Sequence, residues 1–427
     1  MFENLLAQEE VKAALVHDLR YDQVPPVFLF AGPPASGKMT AALETARVLS
    51  CRHSGAWNCD CPDCGNHRSL LHPDLLILGK RGCPEEVLVA KELLLRSPGT
   101  SSMFFFTRAV RKLLARFNPV LWEGEEAKLS KAATLLQSIE EELGLLDIPA
   151  TQTGEDMNAS TIKAVESLCD DCASLETFVP EFPPVSMIRN METWAQLAPL
   201  GRRKTVIIEN ADRMQDSARN AMLKILEEPP ASVRFILLTS RRASMMSTIL
   251  SRSRVLNFQP RNAAATKLII RRVFKSEEEA PTLQDYFDAK KPYPSAKAHV
   301  HANLMTGLLL KSGGAESRLH GAGALAMVRE AGGSSMTIQE LIDQIGSETG
   351  NFGSKDKSYA GSLVQFLRAL QGSFAALLAD SGQDPWLLAL VERWSRLVRE
   401  TAIQSMTYNR NPELLLKVLA DSCGESV

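Results

Sequence analysis

The chain has 427 residues, 45% of them hydrophobic and 23% charged, with a net charge of −2. These values fit a globular protein of two to three domains with a sizeable core. The near-neutral balance excludes a global basic field, so any contact with DNA is local or belongs to a partner.

The N-terminus, MFENLLAQEEVK, has adjacent glutamates and no long apolar core, unlike a secretory signal. The longest apolar runs, Val27–Ala31 and Phe235–Leu238, are strand-sized and fall short of the ~18 residues of a membrane span. We therefore expect no membrane association and assign the chain to the cytoplasm. Eight cysteines in such a chain point to metal or redox chemistry before disulfides.

Residues 1–80 read as α/β. An amphipathic helix over 8–19 precedes the strand Val27–Ala31. A glycine-containing loop, a helix from about Lys38 to Leu49, a cysteine-rich loop and the strand Leu75–Leu78 follow. From 81 to about 180 the period is helical: Phe106, Val110, Leu113, Leu114 and Phe117 recur, then Leu129, Ala132, Leu136, Ile139 and Leu143. We read a helical hairpin broken at 118–124, a polar irregular segment at 149–160, and a face carrying Arg108, Arg111, Lys112 and Arg116 that reads as solvated, contact with DNA or a partner being the alternative. Strands resume at Thr205–Ile208, Phe235–Leu238 and Val255–Phe258. Continuous apolar strands alternating with helices imply a parallel sheet covered on both faces. From about Asn262 the pattern is helical to the end, with Trp386, Leu390, Trp394 and Leu397 on one face.

Gly32-Pro33-Pro34-Ala35-Ser36-Gly37-Lys38 follows a strand and opens a helix. That is the setting of a P-loop, in which backbone N–H groups cradle phosphates and the lysine reaches the outer ones. The next position calls for a hydroxyl to bind Mg²⁺. Here it is Met39, and Thr40 sits one place on, turned by about 100° around the helix. The loop is thus either an ATP/Mg²⁺ site or a relic that keeps its shape without turnover. The strand Thr205–Ile208 ends in Glu209 and Asn210, with Asp212 beyond. A P-loop ATPase holds Mg²⁺ with an acid at the first of these positions, and the neutral amide of Asn210 cannot act as a base. Gly32, Gly37, Lys38, Thr40 and Glu209 are the candidate nucleotide-binding residues.

Cys51, Cys59, Cys61 and Cys64 lie within 14 residues and can close a tetrahedral Zn²⁺ site, free buried thiols being the alternative. Cys169 and Cys172 have no second pair close by and read as ordinary thiols.

NAMLKILEEPP from Asn220, FILLTS from Phe235 and ILSRSR from Ile249 resemble the clamp-loader branch of the AAA+ superfamily, the gamma/tau and delta-prime subunits of bacterial DNA polymerase III. FENLLAQEEVK resembles that family's N-terminal box, and the segment from Ile188 its approach to the second acidic motif. The resemblance covers about 1–80 and 186–260, and the family carries a four-cysteine zinc module between the P-loop helix and the second strand. The family has two residues between the second and third cysteines. This chain has only Asp60 there, so one thiol could be displaced in favour of His53 or His67.

The resemblance implies that Arg252 is an arginine finger acting in a neighbour's ATP site, a role suited to a planar guanidinium. Thr239 resembles the first sensor, and no Gly-Ser-x-Arg second sensor follows residue 260. With Met39 and Asn210, this pattern resembles delta-prime: finger kept, own ATPase lost. The expected architecture is an AAA+ α/β core over 1–260 with a peripheral helical insertion at about 81–180, a helical lid over 261–335 and a helical collar over 336–427. The implied partners are gamma/tau and delta subunits, a sliding clamp and primed DNA reached through the complex. Rival readings are an active gamma/tau-type ATPase and a non-catalytic AAA+ scaffold.

Overall fold

The computed structural model describes residues 1–425 apart from Asp22, Arg81, 147–158, Pro292, 315–317, His320, Ser334, 349–358, 382–383 and 409–410. The irregular segment expected at 149–160 lies outside the described residues except for its last two. The chain divides into two compact units, Met1–Phe287 and Asp288–Val427.

The first unit is built on five parallel strands: β1 (Val27–Ala31), β2 (Leu75–Leu78), β3 (Lys204–Ile208), β4 (Val233–Thr239) and β5 (Arg254–Asn257), in the order β2-β3-β4-β1-β5. Strands β1–β4 are near-continuously apolar because both of their faces are covered, whereas the edge strand β5 is largely exposed. Val27, Leu29, Leu76, Leu78, Val206 and Phe235 point into one apolar cluster. Phe28, Phe30, Ile77, Ile207, Ile236 and Leu238 point into another. This is the two-residue alternation of a strand.

The first twelve helices are α1 (Glu9–Arg20), α2 (Lys38–Ser50), α3 (Pro62–Arg68), α4 (Cys83–Arg96), α5 (Thr100–Leu114), α6 (Glu126–Leu146), α7 (Ala159–Glu176), α8 (Val185–Gln196), α9 (Asp216–Glu227), α10 (Ser247–Arg252), α11 (Ala263–Val273) and α12 (Leu283–Asp288). Helices α1 and α2 supply Val11, Leu15, Leu43 and Ala46 to the second face. The first face is covered largely by α4–α7, the segment expected to be peripheral. Phe106, Val110, Leu113, Ile139, Val165 and Leu168 share a cluster with Leu76, Leu78 and Val206. It is therefore more than a hairpin, and its inner helices are part of the core. Each such side chain withdraws apolar surface worth about 1.5–3 kcal/mol, so deleting the segment would strip one face of the sheet.

In the second unit α13 (Ser295–Ser312), α14 (Ala322–Gly333), α15 (Ile338–Glu348), α16 (Tyr359–Ser381), α17 (Pro385–Tyr408) and α18 (Pro412–Gly424) share one apolar core. The Trp394 indole donates to the Cys423 carbonyl at 3.0 Å and its ring lies 5.1 Å from that of Phe374. The boundary between units falls inside 261–335, and α13 and α14 pack with the later helices. Among the described residues one window, Ser362–Ala379, is long and apolar enough to cross a membrane, a run the sequence reading did not count. Its Leu363, Phe366, Leu370, Phe374 and Leu377 are buried in this helical core.

Candidate nucleotide and metal sites

Ligands of such parallel sheets bind beyond the carboxyl ends of the strands, where the loop that follows β1 lies. The P-loop leaves β1 at Gly32, whose N–H donates to Thr239 O at 3.1 Å. Its φ is +155°, and a Cβ there would collide with the Phe258 backbone, so only glycine fits. Gly37, with φ +100°, opens α2. The Lys38 ammonium is bound within the loop, donating to Gly32 O and Pro33 O, each at 2.5 Å. Met39 is 5% exposed and packs with Phe28 and Phe30. Thr40 is half-buried one position further around the helix.

Beside the loop lies a cavity of about 210 Å³, lined by Pro33–Ser36 on one side and by Pro260, Arg261, Thr266, Thr282, Leu283 and Gln284 on the other. Arg261 donates to Ala35 O and to Leu6 O, and burial pulls its guanidinium down to about 10. Neither Arg261 nor Thr266 belongs to a motif, so reading the sequence missed both.

At the end of β3, Glu209 is 5% exposed and ion-paired with Arg116, which is 3% exposed. Arg116 comes from the turn after α5, and its Nε also donates to Gly79 O at 3.0 Å. The Arg108–Arg116 face is thus not solvated as expected. Arg108 donates to the carbonyls of His67 and Arg68, and Lys112 pairs with Glu86 at 2.6 Å. Asn210 is left-handed, with φ +50°, and its amide donates to Lys80 O at 2.8 Å. The Thr239 hydroxyl donates to Asp212 Oδ1 at 2.6 Å and accepts from Arg241 N at 2.9 Å. Magnesium demands oxygen donors in near-octahedral geometry. Met39 offers none, and the Glu209 carboxylate is already paired with a guanidinium. The residues present do not fit that ion.

The four cysteines do fit a metal. The Sγ atoms of Cys51, Cys59, Cys61 and Cys64 all lie within 4.8 Å of one another, as four thiolates around one tetrahedral ion require. Cys61 reaches the cluster despite its single-residue spacing from Cys59, so no thiol is displaced. His67 instead bonds Ser50 Oγ at 2.8 Å and stacks on His72, while His53 Nδ1 lies 3.5 Å from Cys59 Sγ. Arg47, fully buried in α2, fastens the loop by donating to Gly55 O, Ala56 O and Cys64 Sγ. Burial raises the Cys61 thiol, but the N–H groups of Arg52 and Cys64 prevail and bring it down to about 6. Cys169 and Cys172 are buried in the core, and burial pushes Cys169 up to about 12.

Arg252 ends α10. It donates to Thr248 O and, at 3.1 Å, to Glu227 Oε1 at the end of α9. Its side chain is 37% exposed, so the guanidinium stands at the surface.

The sequence profile described as DNA polymerase III, delta subunit, matches residues 7–141 and 156–262, more than half of the chain. The chain belongs to that family. The match runs through most of 81–180, where the resemblance was expected to lapse, and supports reading the sheet as an AAA+ P-loop core. DNA polymerase III subunit delta' of Haemophilus influenzae is 38% identical over 79 residues, 18% of this chain and 24% of that protein. The Bacillus subtilis subunit delta' is 41% identical over 58 residues, 14% of this chain and 18% of that protein. The chain therefore spans about a quarter or less of the length of these relatives. A solved DNA polymerase III gamma subunit-related protein from Thermotoga maritima aligns with 59% of this chain and 88% of its own, at 18% identity and a TM-score of 0.27.

Proposed function

We propose that this chain is a subunit of the DNA polymerase III clamp loader, working in the cytoplasm with gamma/tau and delta subunits. In this role it offers Arg252 in trans to a neighbouring ATPase, hydrolyses negligible ATP itself, and helps place a sliding clamp on primed DNA. One observation carries the reading: the chain's own acid, Glu209, is paired with Arg116 while Arg252 stands at the surface. In this reading the second compact unit, Asp288–Val427, is the collar that joins the ring, and the helices between residue 261 and Phe287 are the lid. The bond from the Thr239 hydroxyl to Asp212 Oδ1 supports reading Thr239 as the first sensor.

An arginine finger supplied in trans is worth about 10³-fold or more in related phosphoryl transfers, at least ~4 kcal/mol of barrier. Arg252→Ala should lower the ATPase of the assembled loader by that order while assembly is unchanged. Lys38→Ala should have little effect on it. The reverse pattern makes this subunit a motor and ends the proposal.

Structural zinc held by the four cysteines belongs to the same reading. The purified chain should carry about one zinc per molecule. A metal analysis finding none removes zinc from the proposal and leaves the role of Arg252 standing.

A further inference from the structure

The cysteine-bearing loop carries more metal donors than one ion uses. Around a tetrahedral zinc, with Zn–S about 2.3 Å and Zn–N about 2.0–2.1 Å, two sulfurs lie about 3.8 Å apart and a sulfur and a nitrogen about 3.5 Å apart. Cys51 Sγ and Cys59 Sγ are separated by 3.7 Å. On its other flank Cys59 Sγ is 3.5 Å from His53 Nδ1. Cys59 is thus spaced as a fellow ligand both of a thiol and of an imidazole.

A third donor completes the second set. His53, Cys59 and Asp60 each offer a ligand atom within 4.8 Å of the other two, the same spread as the four thiols, and the two sets share only Cys59. Burial grades across them. Cys51, Cys61 and Cys64 are buried, Cys59 is half-buried, and His53 and Asp60 are exposed. Charge is graded too. Four thiolates around one divalent ion carry a net charge of about −2. Arg47 offsets part of it from the buried side, at Cys64 Sγ. Arg52 of the same loop pairs with Asp63 at 2.8 Å and not with Asp60. The outer corner of the cluster therefore combines a thiolate, an imidazole and a carboxylate with the side of the site that keeps its negative charge.

We propose that His53, Cys59 and Asp60 hold a second zinc ion, bridged through Cys59 Sγ to the ion of the four-thiol site. The inference rests on reading the four cysteines as a zinc site. A thiolate sulfur keeps lone pairs after binding one ion and can bind another. The mixed sulfur, nitrogen and oxygen set suits zinc and not magnesium or calcium, which take oxygen. The inner ion has four protein ligands and is closed. The outer ion has three, so its fourth position belongs to water, and it exchanges with solvent while the inner one stays.

The test is a zinc titration of the full chain, purified with its inner zinc and dialysed against a weak chelator. Uptake of one further ion is expected, bound more weakly than the first. His53→Ala and Asp60→Ala should each weaken this second ion by at least about 10–100-fold, since losing a ligand costs no less than losing a group that orients one. The first ion should be retained. Both residues are exposed, so neither change strips the core. A wild-type chain that stops at one zinc overturns the proposal and leaves the four-thiol reading standing, whereas a chain that binds none ends both. A second ion that survives both changes sits elsewhere on the surface and overturns it as well. So does a single ion that His53→Ala loosens, because the imidazole is then a hydrogen-bond support for Cys59.

Discussion

Two arginine–glutamate pairs divide this molecule's chemistry between them. Arg116–Glu209 joins the insertion to the end of β3, with side chains only 2% and 6% exposed. Arg252–Glu227 joins the ends of α10 and α9 across 3.1 Å, with side chains 37% and 53% exposed. The chemical groups are the same, and burial separates them. In a dry interior the desolvated partners are held to each other, because separating them leaves an uncompensated charge. At the surface water competes, and such a contact is worth at most about 1 kcal/mol. A residue meant to act elsewhere has to be of the second kind, and the first kind closes the site that contains it.

The largest effect should follow from breaking the buried pair. Arg116→Leu removes the guanidinium that neutralises the buried Glu209 carboxylate and should destabilise the first unit by about 3–5 kcal/mol in chemical denaturation. The double variant Arg116→Leu with Glu209→Gln removes both charges and should recover at least half of that loss. If the double variant is as unstable as the single one, packing and not charge holds the two elements together.

The strands, the P-loop and the zinc-type loop were legible in the sequence because each is set by neighbours along the chain. Val27–Ala31 needs only its apolar run, and Gly32 and Gly37 declare their backbone needs by residue type. Cys51 to Cys64 carry their spacing with them. The pairing of Arg116 with Glu209 was not legible, since 93 residues separate the two and α5 shows the same run of basic residues whether they meet water or protein. The apolar positions Phe106, Val110, Leu113 and Phe117 did announce a buried face. That its counterpart is the sheet itself depends on contacts with Leu76 and Val206 that no local pattern encodes. Asn210 was legible as the loss of a base but not as a left-handed residue bonded to Lys80 O.

An intermediate effect should appear with pH. Glu176 accepts from Cys83 N at 2.9 Å, and burial raises its carboxyl from 4.5 to about 7 despite that bond. The folded state therefore holds this proton more tightly than the unfolded chain does. The resulting stability is fully present below about pH 4.5 and is lost as pH rises through about 7, a change on the order of 3 kcal/mol. Glu176→Gln should flatten that part of the stability–pH curve. An unchanged slope between about pH 5 and 7.5 would mean that Glu176 ionises as freely as in the unfolded chain.

The smallest effect belongs to the exposed pair, and its smallness is informative. Glu227→Ala removes the acceptor that Arg252 meets at 3.1 Å. The fold should change by less than about 1 kcal/mol, because a half-exposed pair is screened and its side chains regain freedom when released. In an assembled loader the same contact competes with insertion of Arg252 into the neighbouring site. Freeing the arginine should then raise the neighbour's ATPase by up to about 5-fold at low salt, with the gain shrinking as salt rises. ATPase assays of the wild-type and Glu227→Ala loaders across a salt series measure both parts. A loss of activity equal to that of Arg252→Ala would mean that Glu227 positions the finger for its target, and the surface pair would then be as fixed in purpose as the buried one.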